Sequence, residues 1–357
     1  MKLHNVLFWI LVFYFQLSCQ RFNNHKADFY EESFKENYYL DNGILYKNDS
    51  LKIENPTSIR FHVDSFLIIQ EINSKKLIKI IDLKNSRTQE IIPQGKGPGE
   101  MLVPWGIEFV DDKLFVFCGQ LVKVIVLKPD ISRSFKIVNE FRLEETRTTQ
   151  FFPLSENIFV CLSNIGDINR LTILDGNGKI IKKMGDYPPF LNSNLTKGDN
   201  NIFQSFISGS EAEGKIVVAC KTTDFIEIYD RNNGMEKRIQ GPLGIQYTII
   251  TQNVGKSYIR HPEPTTFTYQ NIISSDKEFW VGYIGYKPIK GIKPNISDLY
   301  PKIIFAFDWK GNLLRKINFN DPIISFDVDW TSMTLYTIEW EKENPEIMTY
   351  RLNEYLK

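Results

Sequence analysis

The sequence predicts an all-β protein, a six-bladed β-propeller whose ring is closed by an N-terminal strand. The main observation is a pattern of apolar runs and turn residues that recurs about six times along the chain. The copies share one apolar run that ends at or near a turn residue, at positions 77–82, 122–127, 171–175, 226–230, 303–308 and, truncated, 347–352. Repeats of this length in β-type sequence are typical of propellers, in which each repeat forms one blade. The 26 Phe, 16 Tyr and 6 Trp residues supply large side chains that pack well on pleated sheets.

The turn residues divide the chain into blades. The predicted blades lie at about 58–93, 106–143, 148–185, 201–241 and 266–319, and a sixth begins near residue 323. The sixth has only about three strands, whereas residues 43–53 precede the first blade and have no blade of their own. We therefore predict that this N-terminal segment supplies the missing strand, since closure removes the exposed edges that invite aggregation.

The first residues are typical of an export signal. Lys2 precedes an apolar stretch at 6–17, which is too short to span a bilayer as a helix, so residues 1–18 are predicted as a signal peptide. The stretch ends at Leu17-Ser18-Cys19, which resembles the bacterial lipoprotein box, although Gln16 departs from its pattern. We predict lipid attachment at Cys19, a lipid-anchored tether at 19–39 and the propeller domain at 40–357. A soluble secreted protein or an uncleaved anchor is the alternative.

Composition argues against two kinds of partner or site. The 43 basic and 43 acidic residues give a net charge of zero, so the overall charge does not favour a nucleic-acid partner and we expect none, although local basic patches stay open. Cys118, Cys161 and Cys220 each end an apolar run in a different repeat. Cysteines on separate blades seldom come within disulfide distance, so we expect small buried apolar side chains.

Three glycines and a proline lie between the first two predicted blades, at 94–100. A phosphate-binding loop would need Ser or Thr after a Gly-Lys pair and then a helix, but this chain continues through Pro104 into a strand. We predict a tight crossing between blades. Together with 104–107 and 114–116, this segment resembles the repeat signature of NHL-type propellers. Over residues 40–357 the chain resembles the TolB-like six-bladed propeller lipoproteins of Bacteroidetes. The resemblance implies an exported binding or scaffold protein and carries no agreed catalytic residues.

Catalytic motifs are sparse. Only His62 and His261 of the four histidines lie in the propeller, which excludes a histidine-rich zinc centre. Residues 207–210 lack the leading glycine of a serine-hydrolase elbow. A calcium site of carboxylate and amide oxygens on the propeller axis stays open, and it would make the protein a metal-dependent lactonase, hydrolase or lyase.

Two insertions, at 241–264 and 283–301, are the predicted binding loops, because loops on a rigid scaffold carry binding disproportionately. They contain the candidate ligand-binding residues, which combine aromatic and basic side chains: Tyr258, Arg260, His261, Tyr286 and Lys287. This combination suits a small anionic or sugar-like ligand or a protein surface. The alternative is a solvated loop whose aromatic side chains pack on the blade below.

These observations predict a non-catalytic binding scaffold of the cell envelope, without a cofactor. We expect a lipoprotein of the outer membrane that faces the periplasm or the exterior and binds a protein partner or a small ligand. The alternatives are the metal-dependent enzyme and a structural subunit of an outer-membrane complex, contacted through the blade rims.

Overall fold

The structure, a computed structural model, describes residues 27–47, 51–145, 147–163, 169–187, 202–245, 247–254, 257–289, 292–341 and 344–355. These residues form β-strands and a few short 3₁₀ helices. No helix among them is long and apolar enough to cross a membrane.

Two short strands, β1 (Glu36–Leu40) and β2 (Ile44–Leu45), precede the blades. Four antiparallel blades follow, each with its strands in sequential order. Blade one contains β3 (Pro56–His62), β4 (Phe66–Glu71), β5 (Lys76–Asp82) and β6 (Arg87–Pro93). Blade two contains β7 (Gly106–Val110), β8 (Lys113–Cys118), β9 (Lys123–Pro129) and β10 (Phe135–Arg142). Blade three contains β11 (Thr148–Ser155), β12 (Ile158–Ser163), β13 (Leu171–Asp175) and β14 (Ile180–Met184). Blade four contains β15 (Ser205–Ser210), β16 (Lys215–Cys220), β17 (Phe225–Asp230) and β18 (Gly234–Gln240).

The last two blades both include N-terminal residues. A two-stranded hairpin, β19 (Thr248–Val254) and β20 (Ser257–Glu263), leads into blade five. Blade five contains β21 (Phe267–Ser274), β22 (Glu278–Tyr286), β23 (Ile303–Asp308) and β24 (Leu313–Phe319), with β1 added parallel to β24. Blade six contains β25 (Ile323–Asp329), β26 (Thr334–Glu341) and β27 (Asn344–Arg351), with β2 antiparallel to β27 as its fourth strand. The predicted six-bladed ring and its closure by an N-terminal strand are confirmed.

The recurring sequence pattern is the third strand of each blade. The third strands of blades one to five are mostly buried on both faces, which is why they read as continuous apolar runs. The third strand of blade six, β27, is only partly buried and corresponds to the truncated copy of the pattern. Asp175 shows the role of the turn residue that follows: its Oδ1 accepts hydrogen bonds from the backbone N–H groups of Asn177 and Lys179, both at 2.9 Å. The aspartate thereby fixes the turn into the fourth strand.

The cysteines and the glycine-rich segment lie where the sequence predicted. Cys118, Cys161 and Cys220 are buried on the second strands of blades two, three and four. The segment 94–100 joins blade one to blade two, and the Gly97 N–H donates to Glu100 Oε2 at 2.8 Å. Gly99 has a φ of 68°, which favours glycine.

Two expectations need correction. Part of the predicted tether at 19–39 belongs to the folded unit, because Phe29 and Phe34 are buried against blade five and Phe34 stacks on Phe305 with ring centroids 4.9 Å apart. The insertion at 241–264 contains the β19–β20 hairpin, whereas the sequence predicted only a loop. Thr and Ile residues in 248–251 favour a strand there.

The alternation of strand direction defines two faces of the ring. Connections between blades, and those between second and third strands, lie on one face, which we call the upper face. The described parts of both insertions therefore lie on the upper face, with the segment 94–105 and residues 221–224. The remaining hairpin turns lie on the opposite face.

Candidate functional site: the central cavity

A cavity of about 520 Å³ lies inside the ring. Its wall comes from the beginnings of the innermost strands β3, β7, β11, β15 and β25, from the middle of β21, and from the ends of β4 and β16. Innermost strands begin at the upper face, so the cavity opens there. It shares that face with both insertions.

An ion pair forms part of the cavity floor. Arg60 of β3 donates from Nε to Glu108 Oε2 of β7 at 2.7 Å. Asn271 of β21 lies beside this pair, and its Nδ2 donates to the Phe326 carbonyl at 2.8 Å. Because the pair joins blades one and two, it fixes two blades relative to each other as well as limiting the depth of the cavity.

Burial controls the charges near the floor. It raises the pKa of Asp327 to about 7, although Arg60 acts in the opposite direction. Burial also raises the pKa of Glu108 despite its contact with Arg60. Burial disfavours the charged form of Arg60 too, but Glu108 and Asp327 outweigh it and the pKa of Arg60 is raised. Arg60 is therefore charged at neutral pH.

Amide and aromatic side chains form part of the wall. Four glutamines from blades one, three, four and five line it: Gln70, Gln150, Gln204 and Gln270. Gln70 and Gln270 are held by backbone carbonyls, since their Nε2 atoms donate to Pro104 at 3.0 Å and Ile324 at 3.1 Å. The aromatic part of the wall consists of Trp105, Phe151, Phe152 and Phe206.

Trp105 lies at the entry to β7 and is 37% exposed. Its ring covers Gly119 so closely that a Cβ at that position would overlap it. Its backbone N–H donates to the Phe117 carbonyl at 2.7 Å. Because the indole ring is fixed in position and accessible, a flat ligand can stack on it.

Lys221 follows β16 and brings a positive charge to the wall. Its Nζ lies 4.3 Å from the centre of the Phe206 ring. Within the described residues no carboxylate pairs with it, and burial lowers its pKa. Among the residues that the structure describes, the charged side chains of the lining are Arg60, Glu108 and Lys221, with a net charge of one positive.

The described residues contain no group of three or more His, Cys, Asp or Glu side chains that could hold a metal ion. His62, one of the two predicted propeller histidines, is buried. Its Nδ1 accepts from the Asp64 N–H at 3.3 Å, so its Nε2 carries the proton and donates to the Asp111 carbonyl at 2.7 Å. Both ring nitrogens therefore serve the local fold.

Two of the predicted binding residues, Tyr286 and Lys287, are not among the residues that line the cavity. Tyr258, Arg260 and His261 lie in β20, opposite Asn253, Thr251 and Ile250 of β19, and only their backbones are described. Tyr286 ends β22 and stacks on Phe267 with ring centroids 6.3 Å apart, while Lys287 is exposed. Tyr286 thus packs on its own blade, as the alternative interpretation of the loop expected. The predicted lipid site, Cys19, lies outside the described residues.

The sequence analysis missed the residues that do line the cavity. A signal existed for three of them: Arg60 and Glu108 interrupt apolar innermost strands, and Lys221 directly follows the apolar end of β16. A charge inside an apolar strand indicates a polar environment at that position, here the centre of the ring.

Comparison with known proteins agrees with this architecture. The family described as TolB-like 6-blade propeller-like matches residues 33–331. The chain belongs to this family. No curated protein matches it.

Two solved structures resemble this TolB-like chain. A member of the DUF4221 family from Bacteroides vulgatus is 14% identical, with a TM-score of 0.55, over 86% of this chain and 97% of that one. A Bacteroides fragilis protein whose name suggests export is 13% identical, with a TM-score of 0.48, over 88% and 97% of the two chains. The first similarity shows a shared fold.

Proposed function

We propose that this TolB-like propeller is an exported, lipid-anchored, non-catalytic binding protein of the cell envelope, and that a small ligand enters its central cavity from the upper face. The observation that carries the proposal is the cavity itself. Its volume of about 520 Å³ falls within the range of small-molecule sites, about 300–1,000 Å³. Like such sites, it combines aromatic surface with a few polar groups.

The chemistry of the described residues favours binding over catalysis. A general base must reach the proton that it removes. Both nitrogens of His62 are occupied, Glu108 is paired with Arg60, and Asp327 accepts the Phe61 N–H at 2.7 Å. These groups support the architecture, whereas the amides and Lys221 face the space that a ligand would fill.

A cavity-filling variant tests the site. A Cβ on Gly106 would have one neighbour within 4 Å, the Phe151 carbonyl at 3.9 Å, so Gly106→Leu can project into the cavity without a clash at Cβ. We expect at least one compound of a panel of sugars, sugar acids and small aromatic acids to raise the melting temperature of the wild-type chain, and Gly106→Leu to abolish that rise. A rise that survives in Gly106→Leu places binding elsewhere. No rise with any compound contradicts the proposal.

The residues predicted from the sequence on the β19–β20 hairpin and on the loop after β22 are the alternative to the cavity as the ligand-binding site. An Arg260→Ala, His261→Ala double variant tests β20, and Lys287→Met tests the loop without changing any residue of the described cavity lining. If these variants abolish the rise in melting temperature and Gly106→Leu retains it, the upper-face loops are the site, whether for a small ligand or for a protein partner.

The proposed anchor is supported by Leu17-Ser18-Cys19 and has a geometric consequence. Only residues 20–26 separate Cys19 from Ala27, the first described residue, and seven residues reach at most about 25 Å. Asp28 lies at the end of β18, where its N–H donates to the Gln240 carbonyl at 3.0 Å. The anchor would therefore join the propeller at the upper face, at the outer strand of blade four.

Metabolic labelling with palmitate in the native host tests the anchor. We expect label on the wild-type protein and none on Cys19→Ser, which should appear in the soluble envelope fraction. An unlabelled, soluble wild-type protein would support the soluble secreted alternative.

A further inference from the structure

Lys221 differs from the buried basic residues of this protein. Lys79, Lys123 and Arg170 are buried and each lies beside a carboxylate: Lys79 is 3.1 Å from Glu71, Lys123 is 3.1 Å from Glu140, and Arg170 is 2.9 Å from Glu227. A desolvated cation without such a partner is unfavourable. Lys221 has none within the described part of the chain, although it faces the cavity.

The backbone holds Lys221 in place on both sides. Its N–H donates to the Gln204 carbonyl at 2.7 Å, and its carbonyl accepts from the Thr268 N–H at 2.9 Å. Its Nζ is held 4.3 Å from the Phe206 ring centre. A cation that is positioned before binding loses little entropy when it pairs with an anion.

The surroundings add a ring-binding surface and free amides. Trp105, Phe151 and Phe206 supply aromatic faces, and Gln150 and Gln204 supply amides on the same lining. The lining carries one net positive charge, as summed above. Burial lowers the pKa of Lys221, which indicates that its charge is poorly solvated.

We propose that the ligand of the central cavity is a small ring-containing organic anion whose carboxylate or phosphate pairs with Lys221 and whose ring lies against the aromatic wall. Gln150 and Gln204 bind its hydroxyl or amide groups. This inference rests on the proposed ligand-binding function and adds the chemical class of the ligand.

Matched pairs of acid and neutral compounds test the inference. The melting temperature of the chain from residue 20 is measured with glucuronate, glucose 6-phosphate and glucose, and with benzoate and benzyl alcohol, at equal concentration and ionic strength. A ligand at 100 times its Kd stabilises the fold by about 2.7 kcal/mol, which corresponds to a rise of several degrees. We expect at least one acid to give such a rise and its neutral counterpart to give little. The comparison of glucuronate with glucose 6-phosphate shows whether the cavity prefers a carboxylate or a phosphate.

Two lysine variants identify the pairing group. Lys221→Met removes the charge, and we expect it to abolish the rise; Lys84→Met, at an exposed turn on the opposite face, should retain it. A rise with an acid that persists in Lys221→Met overturns the inference. Equal rises with acid and neutral compounds also overturn it, but leave the ligand-binding function in place. No rise with any compound contradicts both.

Discussion

Buried and half-buried charged side chains in this propeller serve either the fold or the cavity. Arg170 is fully buried and has four described partners, including Glu227 at 2.9 Å and the Phe203 carbonyl at 2.7 Å. Lys123 is held by Glu140 and by the Gly97 carbonyl at 3.0 Å. Lys221 has an aromatic neighbour in place of an acid. We therefore expect the two lysines to differ in their effect on stability.

The comparison of Lys123→Met with Lys221→Met tests this difference. Lys123→Met removes charged hydrogen bonds and should cost about 2 kcal/mol, with a fall of several degrees in melting temperature. Lys221→Met removes a desolvated, unneutralised charge and should leave the melting temperature unchanged or raise it. A large fall for Lys221→Met would show that its ammonium group has a structural partner.

The individual residues that line the cavity were hard to predict from the sequence for a geometric reason. The lining extends in sequence from Thr57 to Ile324 and takes only a few residues from each blade. Which inner-strand residues meet on the axis depends on the register of every blade, which a pattern fixes only within a few residues. The predicted loop residues stood out because they are close together in sequence.

Strands and segments were predictable in proportion to their burial. The third strands of blades one to five are mostly buried on both faces, so their apolar runs identified these blades, whereas the partly buried β27 gave only a truncated copy. The segment 28–39 has mainly polar and charged residues, so the sequence predicted a tether. Its contribution to the core comes mainly from Phe29 and Phe34, whose rings pack against Phe305 and Phe307.

Phe34→Ala tests whether this segment stabilises the propeller. Truncation of a buried Phe costs about 3–5 kcal/mol, so we expect the melting temperature to fall by about 6 °C or more. Tyr39→Ala, in the same segment at a side chain that is 65% exposed, should stay within about 0.5 kcal/mol of wild type. If both changes alter the melting temperature equally and only slightly, the segment is a tether that does not stabilise the propeller.

The whole molecule combines carboxyl groups with opposite pKa shifts. Burial raises the pKa of Asp224 and of Asp327 to about 7. A carboxyl with a raised pKa in the folded state contributes stability that is present below its unfolded pKa and is lost as the pH rises through the folded value. Hydrogen bonds from Arg133 lower the pKa of Asp82 to about 2, so its contribution is lost as the pH falls from about 4 to 2.

We expect the free energy of unfolding to be highest near pH 4, where Asp82 contributes fully, and to decline toward pH 7 because Asp224 and Asp327 ionise more readily in the unfolded chain. Thermal unfolding of the wild-type chain from pH 3 to pH 8 measures this profile. Asp224→Asn cannot ionise and should flatten the decline above pH 4, and Asp327→Asn should act in the same direction. A wild-type profile that rises steadily to pH 8 would contradict the raised pKa of these two buried carboxyl groups.

Closure of the ring was predictable because the number of strands in the last blade can be counted from the sequence. Blade six lacks a strand, β2 supplies it, and Ile44 and Leu45 pair with Thr349 and Met348 of β27. A closed ring of blades predicts a central cavity. The ligand of that cavity depends on the lining side chains, which the repeat pattern does not determine.

A crystal structure of the chain grown with the acid that most raises its melting temperature tests the central claim most directly. We expect ligand density in the central cavity, with the acid group within hydrogen-bonding distance of Lys221 Nζ, about 2.7–2.9 Å, and the ring against the aromatic wall. Density on the β19–β20 hairpin with an empty cavity would contradict the account.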